Sequence, residues 1–261
     1  MRLGARVGFS KLEALEWSFE GVDFPVELAL PHKVDDFLTI KDRISVVGDF
    51  VSKADIQVLS VHAAQGFLPG EAYRNWGIPA IQLADDLGAS SVTFHPNQVK
   101  RNRLETQALF KKHLQDLQNG FQAQAAVETF GGKRRLLRPD EIVEAGLPMI
   151  LDTAHLHDDS LILSLIERYH TKMPTVHLSA RGESEHHLPI DTFCLQVVKL
   201  LERIDWEGSV ILEYLPWHHY RISDDLKLIE RFLKGEEDID IPPPDDKYRN
   251  DKTCWGYTVR S

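Results

Sequence analysis

Six short apolar runs in this chain each close on a histidine or a carboxylate: VLSVH on His62, SVTFH on His95, AQAAVE on Glu128, LPMILD on Asp152, MPTVH on His177 and SVILE on Glu213. Near-continuous apolar runs of this length are what strands buried on both faces look like. The stability of a buried strand gives it no reason to stop repeatedly on a metal-ligand residue type. A closed parallel barrel supplies the reason, because all its strands aim their C-terminal ends at one shared site. The pattern therefore points to a parallel barrel and a metal enzyme together.

The rest of the chain agrees. Strand and helix patterns alternate eight times, with strands expected at 2–9, 24–30, 56–62, 90–95, 123–128, 147–152, 173–178 and 208–214. Between them, KDRISVVGDFVSKA, YRNWGIPAIQLADDLG, ETQALFKKHLQDLQ, LILSLIERYH and FCLQVVKLLERI carry apolar residues at three- and four-residue spacing, the mark of amphipathic helices. Gly88, Gly120, Gly146 and Gly208 break the chain just before strands. An open doubly wound sheet would carry GxGxxG after its first strand or a P-loop, and the chain has neither. The expected fold is α/β, a single (β/α)8 barrel over residues 1–235, of a size usual for that architecture. Residues 236–261 form a separate C-terminal tail. Its EEDIDIPPPDD is acidic and proline-rich, so it should be extended, and Trp255 and Tyr257 give it aromatics with which to dock on the barrel.

Composition excludes several classes. With 43% apolar and 27% charged residues, no apolar stretch approaches the roughly 20 residues a membrane helix needs. Glu13 and Glu16 come too early for a signal peptide, and Cys194 and Cys254 form no CxxC pair, so a reducing cytoplasm is the expected location. The net charge of −10 argues against nucleic acid as a default partner.

Ten of the 12 histidines, all but His113 and His170, fall at expected strand ends or in the loops that follow them. Imidazole nitrogen and carboxylate oxygen suit zinc, with manganese, iron, cobalt or magnesium as further candidates. His62, His95, Glu128, Asp152, His155, His177, Glu185, His187 and Glu213 are more candidate ligands than one ion can use. One bridging carboxylate would let them hold two or three ions; the range considered is one to three per chain. Glu128, Glu213 and His155 are the candidate catalytic groups.

Taken in order, SVHA, TFHPNQ, ETFGG, ILDTAH, TVHLS, EHHLPI and VILEY resemble the xylose-isomerase-like TIM-barrel superfamily (AP endonuclease family 2) over about 160 residues. The metal-ligand pattern is most similar to the endonuclease IV type of apurinic/apyrimidinic endonuclease. The resemblance implies a trinuclear zinc site. In it Glu128 would bridge, His62 and His95 would serve one metal, Asp152, His177 and Glu213 a second, and His155, Glu185 and His187 a third. Two departures stand out. Glu185 replaces the aspartate of that family's Asp-x-His element, and the loop ALPHKVDD is too short to resemble its DNA-penetrating loop, which puts duplex DNA as substrate in doubt. Sugar isomerases and epimerases of the superfamily share only Glu128, Asp152, His177 and Glu213, around one metal, where two glutamates move a proton through an enediolate.

Cations cluster beside these segments: Lys100, Arg101 and Arg103 after strand four, Lys133, Arg134, Arg135 and Arg138 after strand five, and Arg181 after strand seven. A basic rim on an acidic protein suits a phosphorylated substrate. Lys100, Arg101, Lys133, Arg134, Arg181 and the aromatic Trp217 are the candidate substrate contacts. Glu27 is a lone carboxylate in an apolar strand, and its expected partner is Arg6 on the neighbouring strand, an ion pair in the barrel floor. The expected function is a metal-dependent phosphoester hydrolase acting on a phosphorylated sugar or nucleic acid, with a sugar or sugar-phosphate isomerase or epimerase as the alternative.

Overall fold

The computed structural model describes residues 1–9, 12, 15, 19–98, 102–132, 135–183, 185–236 and 239–244. Eight parallel strands close in sequence order into one barrel: β1 Arg2–Gly8, β2 Val26–Ala29, β3 Val58–His62, β4 Ser91–Phe94, β5 Gln124–Glu128, β6 Met149–Asp152, β7 Thr175–Leu178 and β8 Ser209–Leu212. Closure is completed by β1 pairing with β8, Arg2 opposite Ser209 through Ala5 opposite Leu212. Each strand lies inside the range expected for it. His95 and Glu213 fall one residue beyond their strands, and His177 sits within β7 rather than at its end.

Eight α-helices are described: α1 Val34–Leu38, α2 Ile44–Lys53, α3 Arg74–Asp86, α4 Arg103–Gln118, α5 Pro139–Glu144, α6 Asp159–Tyr169, α7 Thr192–Arg203 and α8 Ile222–Leu233. Their starts are locally determined. Asp158 caps α6 by accepting from Leu161 N at 3.1 Å, and Asp191 caps α7 by accepting from Cys194 N at 2.9 Å. The helices turn apolar faces inward, so that Ile81, Phe110, Leu114, Ile166, Val197 and Ile229 are all buried against the barrel wall. None of the described helices is long and apolar enough to cross a membrane.

The barrel interior is polar, which the apolar look of the strands conceals. Alternate residues of a strand face opposite ways, and the inward set includes Ser60, Ser91, Thr93, Thr175 and Ser209, all fully buried. Ser91 and Thr175 meet at 3.0 Å although β4 and β7 are not neighbours, and Ser60 donates to Glu27 at 2.8 Å. Small hydroxyl residues thus fill the lower barrel, and the longer ligand-type side chains stand above them.

Residues 236 and 239–244 of the tail are among the described residues. Ile239 and Ile241 pack on the core, and the Arg221 guanidinium donates to the Pro242 carbonyl at 3.0 Å. Trp255 and Tyr257 lie outside the described residues.

Candidate metal centre

Each ligand-type side chain is placed by its strand and oriented by a local bond. His62 ends β3, and its Nδ1 lies 3.1 Å from the Ala63 carbonyl, which places a proton on Nδ1 and turns Nε2 toward the barrel axis. His95 follows β4 in a loop tied to its neighbour by Asn97. That side chain donates to Gly66 O at 2.7 Å and accepts from Leu68 N at 3.0 Å, so the β3 and β4 loops move as one. Position 66 must be glycine, because a Cβ there would stand 2.2 Å from the Trp76 ring. Asp152 ends β6, with Oδ1 accepting from the amides of Ala154 at 2.7 Å and His155 at 3.1 Å, which leaves Oδ2 for the interior. His187 holds a left-handed backbone with φ of 58°, an unusual conformation outside glycine, and Ser179 Oγ lies 3.3 Å from its Nδ1.

These side chains converge into three groups, and within each the ligand atoms lie within 4.8 Å of one another. The first is His62, His95 and Glu128, with His95 Nε2 at 3.1 Å from His62 Nε2 and 2.8 Å from Glu128 Oε2. The second is Asp152, His155 and His187, with His155 Nε2 at 3.6 Å from Asp152 Oδ2 and the two imidazole rings perpendicular. The third is Glu128, Asp152, His177 and Glu213, all buried, where His177 Nδ1 lies 2.8 Å from Glu128 and 3.0 Å from Glu213. Glu128 belongs to the first and third groups and Asp152 to the second and third, so the three form one continuous cluster.

Burial sets the electrostatics. It holds the His62 and His155 imidazoles down to about 3, so both are neutral lone-pair donors near pH 7. Burial, reinforced by the Glu128 and Glu213 charges, pushes Asp152 well above the usual carboxylate range. Burial would raise Glu128 as well, but His95 and His177 hold it well below its ordinary value; Arg6 does the same for Glu213. Glu128 Oε2, Asp152 Oδ2 and Glu213 Oε2 are buried with no hydrogen-bond donor of acceptable geometry. Desolvating an ion costs several kcal/mol even after relaxation, so buried carboxylate oxygens left without such donors favour a positive charge nearby. Nitrogen and oxygen donors in these numbers fit divalent cations.

A cavity of about 550 Å³ opens onto the cluster. Its lining includes His95, His155, His187 and Glu213 from the cluster, together with the apolar Phe9, Leu30, Leu215 and Pro216. Arg6 also lines it, a placement that reading the sequence missed.

Several expectations need correcting. Arg6 forms its ion pair with Glu213, not Glu27, and Glu27 instead takes His177 Nε2 at 3.1 Å. Arg6 and Glu27 are register neighbours, but Glu213 is the carboxylate that Arg6 reaches. Glu185 is outside all three groups, and Asp152 stands with His155 and His187 in its place. Among the described residues of the basic rim, Arg103 pairs with Glu141, Arg138 with Asp140 and Glu141, and Arg181 with Asp159. Arg135 instead stacks 3.9 Å over the Phe130 ring. Trp217 is half-buried in the turn after β8, where Leu215, Pro216 and His219 are the residues that face the cavity. Lys100, Arg101, Lys133 and Arg134 lie outside the described residues.

No family profile matches the chain, and no curated protein sequence is similar to it. Solved structures do match its fold. A D-tagatose 3-epimerase-like protein superposes with a TM-score of 0.66 at 16% identity, covering 90% of this chain and 96% of that one. A 3-keto-D-glucoside 4-epimerase from E. coli, in its apo form, gives 0.66 at 13%, covering 88% and 99%. Endonuclease IV from Thermus thermophilus gives 0.58 at 16%, covering 90% and 100%. The chain therefore shares the (β/α)8 barrel fold of these structures, of which two are an epimerase-like protein and an epimerase and one is an endonuclease.

Proposed function

We propose that the chain is a metal-dependent phosphoester hydrolase whose centre holds two or three divalent cations, zinc foremost. The observation that carries this reading is the sharing of Glu128 and Asp152 among three ligand groups. A site for one ion has no use for His62, His95, His155 and His187 in addition to the buried group of four. Bound cations would supply Lewis-acid charge to a phosphoryl group and make a water molecule more acidic.

The chain's own residues account for the rest. Glu128 and Asp152 would keep neighbouring cations close by each offering a carboxylate to two groups. His62 and His155 are neutral through burial and give lone pairs without first losing a proton. That basicity suits ligation better than proton storage, so His155 is read as a ligand. Glu213 is kept ionised by Arg6 and faces the cavity, where it would orient an attacking water. Phe9, Leu30, Leu215 and Pro216 in the cavity lining would contact the organic part of a substrate. The loop between β2 and α1 spans only residues 30–33, which favours a small phosphorylated sugar over a penetrated DNA duplex.

The alternative is sugar isomerisation or epimerisation at the buried group of four. It is favoured by one observation: Glu128 and Glu213 flank His177 Nδ1 at 2.8 and 3.0 Å, a carboxylate pair of the kind that proton transfer between adjacent carbons requires. The variant His95→Ala separates the readings. A hydrolase using the His62–His95 group should lose roughly 100-fold or more of its activity on an aryl phosphodiester. Retention of full turnover, with solvent deuterium entering a sugar phosphate, would establish the isomerase instead.

A further inference from the structure

Glu27 is a fully buried carboxylate inside the barrel that belongs to none of the three ligand groups. It stands on β2, and its Oε2 is approached by Ser60 Oγ from β3 at 2.8 Å, Thr93 Oγ1 from β4 at 3.3 Å and His177 Nε2 from β7 at 3.1 Å. His177 is itself fully buried, and its other nitrogen, Nδ1, faces Glu128 and Glu213. The ring thus spans the barrel interior, with Glu27 at one nitrogen and the ligand cluster at the other. Arg6 makes its ion pair with Glu213 rather than with Glu27.

An imidazole that ligates through one nitrogen commonly donates the N–H of the other to a carboxylate, which sets both tautomer and ring angle. We propose that Glu27 is a positioning residue for the cluster: it accepts the Nε2–H of His177 and so presents Nδ1 as the lone-pair donor beside Glu128, Asp152 and Glu213. Ser60 and Thr93 hold the carboxylate in register by donating to the same oxygen. The assignment rests on the metal-enzyme reading above and adds to it a residue outside the ligand set. A carboxylate at this depth would otherwise be a liability, since each buried ion carries a desolvation cost of several kcal/mol.

The test uses the full chain and the variant Glu27→Gln, which keeps the shape of the side chain and removes its charge. Folding of both proteins is checked by circular dichroism, zinc affinity is measured by chelator competition, and the His177 ring protons are read by long-range 1H–15N correlation in the zinc-loaded protein. The expected result is a His177 ring protonated at Nε2 in the wild type, and in the variant a loss of about 10- to 100-fold in affinity for one zinc ion with the others unchanged. A folded variant that binds every zinc ion as tightly as the wild type overturns the positioning role alone. Should Glu27→Gln fail to fold, the wild-type spectrum decides: a His177 ring protonated at Nδ1 in the zinc-loaded protein overturns it. A wild-type chain that takes up no zinc overturns the metal-enzyme reading and the positioning role with it.

Discussion

Asp152 is the residue whose surroundings most favour the proposed metal reading. It is fully buried, its Oδ2 lacks a donor, and burial together with Glu128 and Glu213 lifts its proton affinity well above the ordinary range. A carboxyl group raised in this way stabilises the fold only while protonated. That contribution is complete below the unfolded value of about 4 and is lost as pH rises through the higher folded value. Asp152→Asn keeps an oxygen for the amides of Ala154 and His155 but removes the charge. The metal-free variant is therefore expected to melt above the metal-free wild type at pH 7, by at least ~1 kcal/mol, with the difference shrinking toward pH 4. Adding zinc should reverse the order. Differential scanning calorimetry with and without chelator reads both, and a metal-free variant less stable than the wild type at pH 7 would contradict the account.

Elements deliver these residues, and α5 illustrates the local chemistry on which the delivery depends. Glu141 accepts from the Arg138 amide at 2.9 Å at the start of Pro139–Glu144, and takes the Arg103 guanidinium at the start of α4 at 2.5 Å. Burial opposes its charge, but these donors hold the Glu141 carboxyl down to about 2. A lowered acid contributes stability above its unfolded value near 4.3 and loses it as pH falls toward 2. Glu141→Gln should cost about 1 to 2 kcal/mol at pH 7, or roughly 2 to 8 °C in Tm for a chain of this size, and the gap should close near pH 2. A thermal scan in which the variant matches the wild type at pH 7 would place the loop geometry elsewhere.

At this scale the sequence was informative but one-sided. Six of the eight strands could be read from apolar runs that close at or beside the strand end on His62, His95, Glu128, Asp152, His177 and Glu213. What those runs hid was the inward alternation of Ser60, Ser91, Thr93, Thr175 and Ser209, because small hydroxyls among Val, Ile and Leu hardly disturb an apolar pattern. Period-two reading of VLSVH and SVTFH would have exposed it. The Arg6 assignment failed for a different reason. Register makes Arg6 and Glu27 neighbours, yet whether a long guanidinium turns sideways or up the barrel axis toward Glu213 is decided by side-chain reach, which spacing does not record. Of the rim cations, the described Arg103, Arg138 and Arg181 find partners in Glu141, Asp140 and Asp159, which sit in nearby loops and helix starts and leave no mark on the spacing of the cations.

For the whole molecule, the barrel is a scaffold that brings buried carboxylates and imidazoles together, and on the proposed reading bound cations would make that arrangement favourable. Metal should therefore stabilise the entire domain by mass action. Free zinc at 100 times its Kd adds about 2.7 kcal/mol, and stripping the protein with chelator should lower Tm by roughly 5 to 10 °C, restored on re-addition. A chelator-insensitive melting curve would point to a metal-free barrel. The most direct measurement is anomalous scattering from a zinc-soaked crystal. The account predicts two or three peaks, each among the side chains of one ligand group, with at least one touching both Glu128 and a histidine. A map with no peak there, or with Glu128, Asp152 and Glu213 turned away from one another into separate hydrogen bonds, would contradict it.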